Sequence, residues 1–150
     1  MGIQCGSFRP FYNIFAKWET EKLTVWSIDK LRPSANRLYA VKLSGAWAFL
    51  KTRSVAAQTH PFPPLSTAIA EQSVFNLAQV NATLAGFWMP SYMAQVNSPG
   101  YHFHALTDDK MTGGHVLDCR STHVRIELDA IEAFRMVLPV DIDELDLSGL

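Results

Sequence analysis

The strongest constraint on the fold is an alternation of short β-prone runs and turn-forming residues from Tyr39 onward. This rhythm is typical of a sheet-rich domain. The runs LYAVKLS and AWAFLKTRSV meet at Ser44-Gly45, which predicts a hairpin through a glycine turn. Period-two alternation then divides the second run between two faces. One face holds Trp47, Phe49, Lys51 and Arg53, and the other holds Ala48, Leu50 and Thr52.

Proline and helical patterns interrupt the strands. The three prolines of THPFPP forbid regular pairing and predict a rigid extended link. Helical spacing predicts a short helix in LSTAIAEQSVF, and a second one covers part of SIDKLRPSAN and ends near Pro33. NATLAGFWM, HVRIEL and AFRMVL read as strands, and PSYMAQVNSPG reads as a loop. We therefore predict an α+β fold with an antiparallel sheet or barrel and a few short helices.

Length and composition exclude several classes of protein. A chain of 150 residues with 48% hydrophobic residues fits one domain, residues 1–150. Its net charge of -1 argues against binding to nucleic acid or an anionic membrane. No run resembles a signal peptide or a membrane span, so we expect a cytoplasmic protein. Cys5 and Cys119 lack the spacing of a thiolate metal site and are expected to be free thiols.

Three of the five histidines crowd into the segment GYHFHALTDDKMTGGHVLDC, residues 100–119. If YHFHAL is a strand, His102 and His104 leave the same face with Cα atoms about 7 Å apart. The turn formers of TDDKMTGG would let the chain return antiparallel and bring His115 beside the pair. Three imidazoles with an open fourth position are typical of catalytic zinc, although manganese, iron and cobalt remain compatible.

Each of these features also has a simpler interpretation. Two histidines in an HxH pattern arise readily by chance on an exposed strand, and the third histidine favours the metal site. His60 and His123 are predicted to be ordinary surface residues. Arg53 could bind a substrate carboxylate or donate to a developing oxyanion, or it could be an exposed sheet arginine. Most of the aromatic set should pack in the core, with a minority lining a pocket. That set is Phe87, Trp88, Tyr92, Tyr101 and Phe103.

The segment NSPGYHFHALTDDKMTGGHVLD, residues 97–118, resembles the zinc-binding segment of α-acetolactate decarboxylases. In this family the pattern is Asn-Val-Pro-Gly-aromatic-His-x-His-Phe-Leu, followed by Gly-Gly-His-Val-Leu-Asp. Here Ser98 replaces the usual Val, and Ala105 replaces the usual Phe. GFWMPSYM, KTRSVAAQTHPFPPL and PSANRLYAVKLSG also match family segments. The resemblance covers most of the chain from about Pro33 to Asp118.

The resemblance implies a carboxy-lyase, an acetolactate decarboxylase of acetoin biosynthesis, that converts (S)-α-acetolactate, a small 2-hydroxy-3-oxo acid, to (R)-acetoin and carbon dioxide. It implies Zn²⁺ as the cofactor, with His102, His104 and His115 as ligands and Arg53 as the catalytic arginine. The family fold is α+β, an antiparallel β-sheet with barrel-like closure.

The chain also departs from the family pattern. It lacks a convincing counterpart of the family's N-terminal region and extreme C-terminus, each of which carries an active-site glutamate. Glu19, Glu21 and Glu144 do not sit in those motifs. The missing strands would leave an unpaired sheet edge, which makes a homodimer reasonable. Two alternatives therefore stay open: a zinc-dependent ester hydrolase on the same scaffold, and a non-catalytic metal-binding remnant of the family.

Overall fold

One antiparallel sheet carries the part of the chain that the computed structural model describes, residues 12–16, 28–59 and 62–137. The strands are β1 (Tyr12–Ala16), β2 (Leu38–Ser54), β3 (Ser73–Met89), β4 (Gly100–Thr107) and β5 (Gly113–Ile131). A short helix α1 (Leu65–Ala70) precedes β3, and a 3₁₀ helix (Ser91–Met93) follows it. The prediction of an antiparallel sheet with a few short helices is confirmed.

The order of the strands in the sheet is β1-β5-β2-β3-β4, and β4 also pairs with β5. The long strand β2 lies at the centre and pairs with β5 on one side and β3 on the other. Because β4 contacts both β3 and the first residues of β5, the predicted histidine segment is held by two neighbouring strands.

The core lies on one face of the central strands. Tyr39, Val41 and Leu43 alternate along β2 and belong to the main buried cluster, while Leu38 and Ala40 on the other face of the strand are buried as well. Burying a large aliphatic side chain of this kind contributes roughly 1.5–3 kcal/mol. The buried cluster comprises Ile28, Tyr39, Val41, Leu43, Trp47, Leu50, Ala82, Leu84, Ala105, Val124, Ile126 and Leu128.

The predicted hairpin at Ser44-Gly45 is wrong, because β2 continues through both residues as one strand. Gly45 has φ +147, and a Cβ atom there would lie 2.3 Å from the carbonyl oxygen of His123. The glycine therefore permits the close approach of β5 and does not form a turn.

The predicted division of faces in the second half of β2 is also wrong. Trp47 is completely buried, and so are Leu50 and Thr52, which were expected on the opposite face. The regular register between β2 and β5 breaks between Trp47 and Phe49. This irregularity, typical of a β-bulge, changes the phase of the alternation. Single-strand periodicity does not reveal such a shift.

Several other predicted elements can be compared with the structure. The helix predicted in LSTAIAEQSVF is confirmed as α1 (Leu65–Ala70), and of the one predicted in SIDKLRPSAN the structure describes residues 28–29 as helical before a turn toward Pro33. HVRIEL is confirmed as strand but belongs to the long β5. AFRMVL is not a closing strand, because residues 132–137 form no ladder with a described strand. Several residues named above lie outside the described residues: Cys5, Glu19, Glu21, His60 and Glu144.

Candidate metal centre

A short hairpin between β4 and β5 places the histidine segment. The Thr107 N–H donates to the Thr112 carbonyl (2.9 Å), and the Asp109 carboxylate accepts the Met111 N–H (2.9 Å). Lys110 takes the left-handed conformation at φ +59 that the tight turn requires. With the turn held in this way, His104 lies directly opposite His115 across the two strands. The predicted antiparallel return is confirmed.

The three imidazoles converge on one point of the sheet surface. His102 Nε2 lies 3.3 Å from His104 Nε2 and 3.2 Å from His115 Nδ1. All three candidate ligand nitrogens lie within 4.8 Å of one another. The rings of His102 and His104 are nearly parallel, whereas the His115 ring is roughly perpendicular to both. The side chains predicted to point to the other face do so, because Ala105 is buried and Phe103 packs against the core.

The spacing of these nitrogens fits a single bound cation. Two nitrogens bound to one tetrahedral zinc at about 2.0–2.1 Å stand roughly 3.3–3.4 Å apart. The two distances that involve His102 Nε2 match this value closely. Hydrogen bonding alone is a poor explanation, because one imidazole nitrogen carries either one proton or one lone pair and faces two other nitrogens here. Among the described residues, the cluster of His102, His104 and His115 is a group of metal-ligand side chains that lie close enough together to hold one ion.

The electrostatics of the cluster favour the neutral form of two of the imidazoles. Burial lowers the pKa of His104, and the neighbouring charges of His102 and Arg53 lower it further. Burial likewise lowers the pKa of His115, followed by Arg53 and the other two histidines. A lowered pKa keeps each imidazole neutral to lower pH, and the neutral form is the one that binds metal.

Arg53 stands at the edge of this cluster. It is opposite His115 in the ladder between β2 and β5 and opposite Val74 in the ladder between β2 and β3. Its guanidinium donates from Nη1 to the Oε1 atom of Gln72 (3.1 Å), the residue that links α1 to β3. Arg53 is partly buried, so it differs from a freely exposed sheet arginine.

Two further residues contribute to the site in ways that the sequence did not reveal. Gly114 has φ +126, and a Cβ atom there would lie 2.3 Å from the Arg53 carbonyl oxygen. Gly-Gly was predicted only as a turn signal, yet Gly114 allows β2 to approach β5 beside His115. Gln72 carried no motif that could have identified it as a partner of Arg53.

Three members of the aromatic set are packed, as predicted, and Tyr92 lines one of the surface clefts. Trp88, Tyr101 and Phe103 pack against the core cluster, whereas Tyr92 is 66% exposed. Burial raises the pKa of Tyr101, and the hydrogen bond from its hydroxyl to Asp29 (2.9 Å) raises it further. This aromatic group therefore supports the face of β4 opposite the histidines.

The rest of the described surface adds no second site of this kind. His123 is exposed, as predicted, and lies outside the cluster. Two clefts of about 440 and 340 Å³ lie near Arg37 and Glu132, and none of the three histidines lines them. Within the described ranges, none of the helices has the length and apolar character needed to cross a membrane.

Fold and site together define a class: an antiparallel sheet protein with a three-histidine candidate metal centre at a β-hairpin and an arginine beside it. Comparison with known proteins identifies the family within this class. The family model of alpha-acetolactate decarboxylase matches residues 9–147, and the chain belongs to that family. The resemblance found in the sequence is confirmed.

Individual relatives agree with the family match. The chain is 42% identical to the alpha-acetolactate decarboxylase of Brevibacillus brevis over 104 residues, which are 69% of this chain and 36% of that protein. It is also 42% identical to the one from Methanosarcina mazei over 116 residues, which are 77% of this chain and 40% of that protein. The chain thus spans about two fifths of the length of these curated relatives.

A solved structure agrees as well. The acetolactate decarboxylase of Bacillus subtilis subspecies spizizenii superposes with a TM-score of 0.83 at 26% identity. The superposition covers 93% of this chain and 62% of that one.

Proposed function

We propose that this protein decarboxylates (S)-α-acetolactate to (R)-acetoin and carbon dioxide, with zinc bound by His102, His104 and His115 and with Arg53 as the catalytic arginine. One observation carries the proposal. In a chain of this family, three imidazoles converge with candidate ligand nitrogens within 4.8 Å of one another, and Arg53 lies in the adjacent strand.

The reaction needs an electron sink and a positive charge. Loss of carbon dioxide from a 2-hydroxy-3-oxo acid leaves an electron pair that enters the adjacent ketone and gives an enediolate. Zinc held by the three histidines would supply Lewis-acid stabilisation of that developing charge. A proton must then reach one face of the enediolate to give a chiral product, so the substrate has to be held in one orientation.

Arg53 is suited to that orienting role. Its planar guanidinium can bind a carboxylate through two parallel hydrogen bonds. Gln72 accepts a hydrogen bond from one guanidinium nitrogen, which limits the rotation of the side chain and leaves the other N–H groups for a substrate. The guanidinium also influences the pKa values of His104 and His115, so its charge acts within the same small site.

The fold-level part of the proposal concerns the sheet. The pairing of β4 with both β3 and β5 supports the barrel-like closure that the family resemblance implies. We also propose that residues 1–150 form a single domain of this family.

The experiment is a measurement of acetoin formation from racemic α-acetolactate by the purified, zinc-loaded protein. His104→Ala should lower metal affinity by more than about a hundredfold and abolish turnover, because a direct ligand is lost. Arg53→Lys should lower kcat by roughly a hundredfold while zinc binding persists, because lysine cannot reproduce the planar fork. His123→Ala, which changes an exposed histidine outside the cluster, is the control and should behave as the unchanged protein.

The possible outcomes separate the candidate functions. Full activity in both His104→Ala and Arg53→Lys would refute the assignment. Turnover of aryl esters without acetoin formation would indicate a zinc hydrolase. Stoichiometric zinc binding that His104→Ala abolishes, without turnover of either substrate, would indicate a metal-binding protein that lacks the lyase activity.

A further inference from the structure

Two positively charged side chains stand in line on β2 beside the candidate metal centre. Lys51 and Arg53 flank the completely buried Thr52, so both lie on the opposite, outer face of the strand. Their Cα atoms are about 7 Å apart, two residues along an extended chain. Because Arg53 is opposite His115 in the ladder with β5, Lys51 lies one step further from the three histidines along the same face.

A third cation extends this line. Phe49 is on the same face as Lys51, since the residue between them is completely buried, and Phe49 is opposite Arg120 of β5. The Cζ atom of Arg120 lies 5.2 Å from the centre of the Phe49 ring, so the guanidinium is held over β2. Arg120, Lys51 and Arg53 together are called the cationic row below.

The charges of the cationic row are not neutralised by ion pairs. Elsewhere on β2 and β5, the Glu127 carboxylate binds Lys42 at 3.3 Å and Arg125 at 3.0 Å. None of the ion pairs formed among the described residues includes a member of the cationic row. Arg53 donates instead to a neutral amide, that of Gln72. The row therefore presents positive charge to solvent next to the three histidines.

One carboxylate lies beside the row. Asp118 is exposed and is opposite Lys51 in the ladder between β2 and β5. Its Oδ1 atom accepts the backbone N–H of Cys119 (2.8 Å), so the carboxylate is directed to its own strand. Asp118 reduces the positive charge of the row, and two net positive charges remain on this face.

A small anion close to the row is attracted by more than one of its members. At physiological ionic strength the Debye length is about 8 Å, which is longer than the step of about 7 Å from Lys51 to Arg53. A carboxylate that reaches Lys51 is therefore also attracted by Arg53. Cations that line the approach to a site raise the local concentration of an anionic substrate and its rate of association.

We propose that Lys51 captures the carboxylate of the substrate and directs it to Arg53, with Arg120 at the outer end of the same approach path. The proposal rests on the proposed function, in which the substrate is the anion of a 2-hydroxy-3-oxo acid. Lys51 acts here through its charge and does not touch the reacting atoms. It contributes to substrate binding and leaves the chemical step unchanged.

The first experiment measures kcat and KM for α-acetolactate with the zinc-loaded protein at several salt concentrations. Lys51→Gln should raise KM about three- to tenfold at low salt while kcat is unchanged. The difference should shrink at about 1 M salt, where the Debye length is about 3 Å. Lys51→Arg keeps the charge and should behave as the unchanged protein. Arg120→Gln should have a smaller effect, because Phe49 beneath it is about 13 Å from Arg53 along the strand.

Two more variants test the sign and the position of the charge. Asp118→Asn removes the negative charge beside Lys51, keeps an oxygen that can accept the N–H of Cys119, and should lower KM. Arg37→Gln is the matched control, because it also removes one exposed positive charge, at a residue that borders the two clefts away from the histidines. It should leave KM and its salt dependence unchanged.

A second experiment measures binding without turnover. Isothermal titration calorimetry with the zinc-loaded protein compares 2-hydroxy-2-methylpropanoate with acetoin. The first carries the hydroxyl and the carboxylate but no ketone to accept electrons, and the second is neutral. Lys51→Gln should weaken binding of the carboxylate about three- to tenfold and leave acetoin binding unchanged. Equal weakening of both ligands would contradict a role that depends on charge.

The two experiments separate the possible failures. Unchanged KM and unchanged carboxylate binding in Lys51→Gln would overturn the proposal, and so would a large fall in kcat, which would indicate a role in the chemical step. If the protein binds the carboxylate through Lys51 but forms no acetoin, the proposed function fails while capture by Lys51 stands. If it neither forms acetoin nor binds the carboxylate, both proposals fail.

Discussion

Gly86→Ala should damage both the stability of the sheet and the metal centre. Gly86 lies opposite Phe103 in the ladder between β3 and β4. A Cβ atom there would lie 1.8 Å from the His102 carbonyl oxygen, well short of the 3.4 Å at which ordinary contact begins. Because the obstacle is backbone, β4 itself must move by about 1 Å or more.

The magnitude follows from what that movement disrupts. Overpacking a close contact costs about 1–3 kcal/mol, and each weakened interstrand hydrogen bond costs about 0.5–1.5 kcal/mol more. We therefore expect a loss of about 3–5 kcal/mol in the free energy of unfolding, measured by urea denaturation. The displaced His102 should also weaken zinc binding, because the nitrogen spacings of 3.2 and 3.3 Å depend on the position of β4.

Gly100→Ala provides the matched control. It is also a glycine-to-alanine change, at the first residue of β4, but nothing lies within 4 Å of the added methyl group and the strain comes only from φ +95. We expect it to cost about 1–2 kcal/mol. If Gly86→Ala cost less than this control, the reasoning from backbone contact would be wrong.

Three further predictions concern the core, the arginine and the histidines. Trp47→Phe should lower the free energy of unfolding, measured by urea denaturation, by about 2–3 kcal/mol. The completely buried indole N–H donates to a carbonyl oxygen of β3 (3.0 Å), and the substitution removes that donor. An unchanged denaturation midpoint would contradict this prediction. Gln72→Ala should lower kcat about tenfold with little change in zinc affinity, because Arg53 loses the group that orients it; equal kinetics would show that this contact has no positioning role. The lowered pKa values of His104 and His115 mean that the metal-free folded protein binds fewer protons than the unfolded chain just below the ordinary pKa of 6.5. The free energy of unfolding of the metal-free protein should therefore be highest above pH 6.5 and should decrease as the pH drops below that value. Urea midpoints that rise on acidification would refute this direction.

Local patterns were sufficient for much of the site. The alternation in YHFHAL and the turn formers of TDDKMTGG predicted that His102, His104 and His115 would meet, and the structure brings them together. This worked because a hairpin is a local structure, in which neighbouring residues determine both the turn and the register. The family resemblance rested on the same contiguous segments.

Longer-range features were not predictable in the same way. Gly45 was interpreted as a turn because a glycine between two β-prone runs normally marks one, but the approach of β5 gives it a different role. The change of phase after Trp47 depends on an irregular register with a strand about seventy residues away in sequence. Neither partner is visible from within β2.

The sequence by itself determined the antiparallel class of the fold, the β4–β5 hairpin and the identity of the three candidate ligands, because these depend on residues close together in the chain. Only the tertiary structure decided which side chains of β2 are buried after Trp47, that Gln72 holds Arg53, and that Gly114 lets β2 approach β5. These features arise from contacts between distant strands, and such contacts form only when the whole sheet is assembled.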